Sequence, residues 1–214
     1  EGLVCTSSNA ARALTWAFER GEKVLFFPDQ HLGRNTGYAM GIPLEEMVLW
    51  NWRMPHGGVT AEQLAKAKII LWQGHCSTHQ RFTAAQIEKA RKEHPGVRVI
   101  VHPECPWDVV QAADDNGSTE KIVKAISEAP AGTTWAVGTE INLVNRLAAQ
   151  NPDKTVFCLD PVVCPCSTMY RIHPAYIAWV LEALLQGVVV NEVKVDAETR
   201  KWSLVALERM LALP

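Results

Sequence analysis

Nowhere does this chain stay apolar for the roughly 20 residues that a membrane-spanning helix needs, so no membrane partner is expected. Nor does it carry a basic stripe. The formal net charge is −2, which excludes non-specific nucleic-acid binding as a main role. No strand is followed by a Gly-x-Gly-x-x-Gly turn, and a dinucleotide-binding domain is disfavoured for that reason. Residues 1–20 lack a charged start followed by an apolar core, so no signal peptide is expected in them. Close Cys-x2-Cys pairs of the kind that mark structural zinc are missing, as is any small-domain disulfide spacing. Cys5, Cys76, Cys105, Cys158, Cys164 and Cys166 are instead spread along the whole length. Reduced thiols serving a metal or cluster are therefore favoured over disulfides, and a cytoplasmic location with them. An initiator Met is also lacking: the chain opens Glu1-Gly2-Leu3. It is expected to be an internal or carboxyl-terminal piece of a longer protein.

What is present is ordinary globular material. The 214 residues are 48% hydrophobic and 21% charged, enough to bury one large core or two small ones. Short apolar runs alternate with helical patterns. Strands are expected at 3–6, 24–27, 46–50, 69–72, 97–101, 133–137, 155–159 and 189–195. Helices are expected at 10–19, 31–40, 61–66, 83–93, 106–113, 120–128, 140–149, 176–185 and 197–211, the first capped by Ser7 or Ser8. Such alternation predicts α/β layers with mainly parallel sheets.

The chain is organised around 69–79. There the apolar run Ile69 to Trp72 stops at Gly74, and His75, Cys76 and His79 follow closely. The carboxyl end of a strand in an open α/β sheet is where ligands and reactions sit. Two further loops are expected on the same rim. One carries His102, Glu104 and Cys105; the other carries Cys164, Cys166 and Met169. His102 and Glu104 alternate, so at an extended strand end they would share a face and could divide acid and base roles near neutral pH. Thiolates from separated loops suit an iron–sulfur cluster and also zinc. Pro165 between Cys164 and Cys166 makes joint ligation of one ion awkward, so only one of the two is expected to bind. A zinc-binding α/β structural or binding module without catalysis stays open as the alternative.

An internal repeat accompanies these loops. Ser7 to Asp29 and Ser118 to Glu140 have the same separation, and in each a hydroxyl pair opens a helix and a strand follows, ending near an acid. Free N–H groups at such helix starts are ready anion sites, alongside the plainer reading of ordinary capping.

Several segments resemble quinolinate synthase: Thr6-Ser7-Ser8-Asn9-Ala10, Phe27-Pro28-Asp29-Gln30-His31-Leu32-Gly33, Trp72-Gln73-Gly74-His75-Cys76 with His79 and Phe82, Val101-His102-Pro103-Glu104, Gly117-Ser118-Thr119, and Cys166 with Met169. They follow the family's order. The resemblance implies three-layer α/β/α domains pseudo-repeated around a central site, two of the three represented here. It divides the chain into a partial domain (1–76), a second domain (77–166) and a C-terminal helix–strand–helix segment (167–214) expected to pack on a missing N-terminal domain. It implies a transferase that condenses iminoaspartate with dihydroxyacetone phosphate to quinolinate in NAD biosynthesis, losing phosphate and two waters. Functional coupling to L-aspartate oxidase follows from the same likeness. The implied cofactor is a 4Fe–4S cluster with three cysteine ligands, Cys76 and Cys166 among them and one outside this chain, upstream with a Tyr-x-Asn motif. His102 and Glu104 are implied as substrate-binding and acid–base residues, and Ser7, Ser118 and Thr119 as holders of carboxylate or phosphate. His79 lies near the cluster loop with no firm role. A chain lacking one ligand is expected to be inactive alone.

Overall fold

Continuous β-rich runs such as Val99-Ile100-Val101 can be buried on both faces, and that favours parallel sheets covered by helices. A computed structural model describes residues 1–160, 162 and 166–214 and has this architecture. Cys164 lies outside the described residues. Helix α1 (Ala10–Phe18), strand β1 (Val24–Phe26), helix α2 (Gln30–Ala39), strand β2 (Met47–Trp50), helix α3 (Ala61–Lys66) and strand β3 (Ile69–Trp72) form the first unit. Its parallel sheet has the order β1-β3-β2, with Leu71 opposite both Phe26 and Leu49. The central strand is thus the one that leads into Cys76.

The second unit runs through α4 (Ala84–Glu93), β4 (Arg98–Val101), α5 (Trp107–Ala112), β5 (Asp115–Asn116), α6 (Thr119–Ser127), β6 (Thr134–Gly138), α7 (Ile141–Gln150) and β7 (Thr155–Cys158). Its strands are also parallel, in the order β5-β4-β6-β7. The chain moves from β4 to β5 on one side and then returns to β6 on the other. That reversal opens a crevice beyond the carboxyl ends of β4 and β6, and His102 and Thr139 stand there. Ile87, Val99, Val101 and Val109 fill one face of this sheet, and Ile100, Ile122, Ile126 and Trp135 the other. The result is an α/β/α sandwich beside a second parallel α/β unit.

Local signals account for most helix starts. Thr60 and Thr83 each form a reciprocal capping box, with Gln63 and Gln86. Asp29 caps α2 and Glu140 caps α7, so the repeated strand–acid pairs are both helix starts after a strand. Ser118 caps α6, but the α1 cap position is Asn9, whose side chain accepts the Thr6 N–H at 2.7 Å; neither Ser7 nor Ser8 caps. The close approach of α2 to its sheet needs Gly33, where an added Cβ would lie 2.6 Å from Phe26 and 2.7 Å from Leu71.

Two expected strands do not form. Residues 3–6 are irregular because the Val4 N–H bonds to the Ala206 carbonyl of α9 (Ala197–Leu211) rather than to a strand. Residues 189–195 connect α8 (Pro174–Leu185) to α9 without a partner strand, and Val193 is 84% exposed. A strand holds its shape only where another chain segment completes its hydrogen bonds. Conversely, the polar pair Asp115–Asn116, where no strand is expected, forms β5 because the β4 edge supplies that partner.

Candidate active site

Cys76 sits in the turn after β3, half-buried. Its backbone N–H donates to Asp29 Oδ2 at 2.9 Å, and its carbonyl accepts the Gln80 N–H at 3.0 Å. A short turn, His79–Arg81, then carries His79 beneath the loop, 8% exposed. The thiol, the His79 ring nitrogen and a Glu104 carboxylate oxygen all lie within 4.8 Å of one another.

Glu104 reaches this point by a different route from the one expected. Residues 102–105 are not an extended strand end but a tight turn, closed by the Cys105 N–H to the His102 carbonyl at 2.9 Å. The turn brings the Glu104 N–H to His102 Nδ1 at 3.3 Å. His79 Nδ1 meets Glu104 Oε2 at 2.9 Å, and its Nε2 meets the Thr139 hydroxyl at 3.2 Å. His102 lies flat on His79, ring centroids 4.3 Å apart and planes at 10°.

The electrostatics follow from these contacts. Burial disfavours a charged His79, but hydrogen bonds with Cys76 and Glu104 outweigh it and raise its pKa to about 9. His102 is lowered to about 4, first by burial and then by the charge on His79. It is therefore neutral, and with Nδ1 accepting a backbone N–H its proton sits on Nε2, which meets no acceptor among the described residues. The hydrogen bond with His79 holds the Cys76 thiol below its ordinary value. Burial alone would raise the Glu104 carboxyl, yet His79 and His102 bring it down. The other buried thiols differ. Burial pushes Cys105 and Cys158 up, and their sulfurs face the carbonyls of Gly138 and Thr139. Burial raises Cys5 too, packed against the first core. Among these thiols Cys76 alone is prepared as a soft anionic donor.

The remaining expected residues are more dispersed. Ser118 and Thr119 follow β5 and share the carboxyl rim with His102. Ser7 is half-buried before α1, and its hydroxyl has no hydrogen-bond partner among the described residues. Cys166 is half-buried and outside the Cys76–His79–Glu104 group. His75 is exposed. Sequence reasoning gave His79 no firm role and did not place Thr139; a hydroxyl at the carboxyl end of a buried strand is the one signal that pointed to it. Both ring nitrogens of His79 are engaged, by Glu104 and Thr139. These two bonds fix the His79 ring beside the Cys76 thiol.

Parallel α/β units with a thiol of lowered pKa, two stacked imidazoles and a carboxylate gathered at one strand rim have the set of groups that metal- or cluster-assisted acid–base chemistry uses. Comparison with known proteins makes the class specific. The family model described as Quinolinate synthetase A protein matches residues 1–212. The quinolinate synthase of Corynebacterium glutamicum is 63% identical over 212 residues, covering 99% of this chain and 54% of its own length. Those of Rhodopirellula baltica and Streptomyces coelicolor are 55% and 56% identical, over 99% and 100% of this chain and 54% and 55% of their own lengths. The chain belongs to the quinolinate synthase family, and it spans about half the length of these curated relatives.

Proposed function

We propose that the protein containing this chain makes quinolinate, a step of NAD biosynthesis, by condensing iminoaspartate with dihydroxyacetone phosphate, with loss of phosphate and two waters. The observation that carries the reading is the Cys76 thiol held beside His79 and Glu104, with His102 stacked on His79, in a chain of this family. The donor chemistry fits an iron–sulfur cluster: the half-buried Cys76 thiol, its pKa lowered by His79, would be one ligand, Cys166 the second, and a cysteine of the protein outside this chain the third. Bound there, a 4Fe–4S cluster would supply Lewis-acid polarisation of a substrate oxygen.

The chain's own residues divide the remaining work. Glu104 Oε2 shares the His79 Nδ1 proton across 2.9 Å, so the pair can give or take a proton without moving. His102 offers Nε2–H to a carboxylate or developing oxyanion. Ser118 and Thr119, at the start of α6, offer hydroxyls and free N–H groups to the phosphate or a carboxylate, and Ser7 does so from before α1. The boundaries 1–76, 77–166 and 167–214 are proposed as two units and a segment that packs on the rest of the protein. Iminoaspartate is unstable in water, so coupling to an L-aspartate oxidase that makes it is part of the proposal, as is a reducing, cytoplasmic setting. Among the described residues no helix is long and apolar enough to cross a membrane.

The test is a pair of substitutions in the full-length protein, purified without oxygen. Cys76→Ser is expected to abolish the brown cluster absorbance and the activity while the fold is kept. Glu104→Gln is expected to keep the cluster and lose turnover by about 100-fold or more. A colourless, zinc-containing wild type would favour the structural-module alternative instead.

A further inference from the structure

Helix α2 belongs to the first unit, yet one of its side chains grips the loop of the second. Asn35 is 6% exposed, and its Nδ2 donates to two carbonyls at once, Pro103 at 2.8 Å and Cys105 at 2.9 Å. These are the residues on either side of Glu104. Its Oδ1 is buried with no partner among the described residues. An unpaired buried acceptor is costly, and turning the amide over would set Oδ1 against the two carbonyls. The orientation is therefore fixed, and both N–H groups are spent on holding the turn. Aspartate has no donor to replace them, and leucine fills the same space with none.

The other end of the same helix is tied to the thiol loop. Asp29 caps α2 and also accepts the Cys76 N–H, and the Gln30 N–H donates to the Gly74 carbonyl at 2.9 Å. With Gly33 seated on Phe26 and Leu71, α2 cannot slide. One rigid helix thus sets the span between Cys76 and Glu104.

We propose that Asn35 is the positioning residue for Glu104, holding the turn on both sides of it so that its carboxylate meets His79 and the thiol loop. This rests on the reading above that Glu104 works in the reaction. Misplacing a reacting group by about 1 Å can cost up to ~100-fold in rate.

The experiment uses the full-length protein with Asn35→Leu and Asn35→Ser, the second keeping one donor in case the first fails to fold. Ile126→Val, on the buried face of α6 near its C-terminal end, serves as a stability comparator. Two quantities are read: kcat and KM with their pH profile in the cluster-loaded enzyme, and the His79 imidazole nitrogen signals in the metal-free protein. Asn35→Leu is expected to lower kcat by ~10- to ~100-fold with KM little changed. It is also expected to shift the acid limb of the profile and to move the His79 signals away from their Glu104-bonded positions. Asn35→Ser should fall between this and wild type. If either Asn35 variant matches Ile126→Val in both readouts, the proposal is overturned. If Glu104→Gln keeps turnover, the functional reading of Glu104 fails, while the His79 signals still decide whether Asn35 places the carboxylate.

Discussion

His79 and His102 stack with ring centroids 4.3 Å apart, yet only His79 touches Glu104 and neighbours Cys76, and those two partners decide that it carries the proton. Two imidazoles that close form a coupled pair whose titration belongs to both. Here His79 is raised to about 9 and His102 lowered to about 4, so the pair holds one proton across the whole range between. The effect on stability has a definite sign on each side of the ordinary value of 6.5. His79 stabilises fully below 6.5, and its contribution is lost as pH rises through about 9. His102 must stay neutral, so stability falls as pH drops from 6.5 towards about 4. The pair thus centres its contribution near pH 6.5, and imidazole nitrogen NMR of the metal-free full-length protein should show one charged and one neutral ring from pH 5 to 8. Both rings titrating together near their ordinary value would contradict this. Asp29 is the other residue with two duties, accepting the Leu32 N–H at 2.8 Å and the Cys76 N–H at 2.9 Å. Asp29→Asn turns an NH2 towards one of those donors, and denaturant unfolding should show a loss of ~1–3 kcal/mol. Cys76, His102 and Glu104 could be found in the sequence because each follows an apolar run that stops abruptly. The weight of His79 could not, since Thr139 and Glu104, which fix its ring, lie far along the chain.

At the scale of elements, what a segment can see locally and what its partner supplies are separate things. Helices α3 and α4 are legible because Thr60 and Thr83 carry their own start signals, with Gln three residues on. Thr83→Ala should cost ~1 kcal/mol in thermal or denaturant unfolding. The strands around 3–6 and 189–195 are misleading because alternating or β-branched residues give only the capacity to pair. Strand β5 is the converse, two polar residues paired by the β4 edge alone. The junction of β1 with the thiol loop also depends on contact that sequence does not display. Asp29 and Gly74 form a parallel bridge, and a Cβ at Gly74 would lie 2.2 Å from the Pro28 carbonyl oxygen. Backbone cannot yield there as a flexible side chain could. Gly74→Ala is therefore expected to destabilise the protein by ~1–3 kcal/mol and to displace Cys76, read as a lower unfolding midpoint together with loss of cluster absorbance in the full-length protein.

For the molecule as a whole, the distribution of buried residues bears on whether this chain is a working unit. The three core clusters end at Leu159. Beyond it, α8 and α9 contain no buried residue, and Tyr176, Leu181, Leu185 and Trp202 are 57%, 57%, 88% and 56% exposed. A stretch this apolar is a surface meant to be covered. The relatives are nearly twice as long as the matched region, and the packing proposed for 167–214 would cover this surface. The same missing length is where the third cluster ligand is proposed to lie. Cys105 does not replace it, being buried, pushed up by that burial and turned to the Gly138 carbonyl; Cys5 is packed into the first core. The 214-residue chain alone, reconstituted with iron and sulfide, should therefore show no stable 4Fe–4S absorbance and should bind a hydrophobic dye. The full-length protein should show the absorbance and bind little dye. A stoichiometric, stable cluster in the isolated chain would make Cys5 or Cys105 a ligand after all, and would require the turn at 102–105 or the start of α1 to rearrange around it.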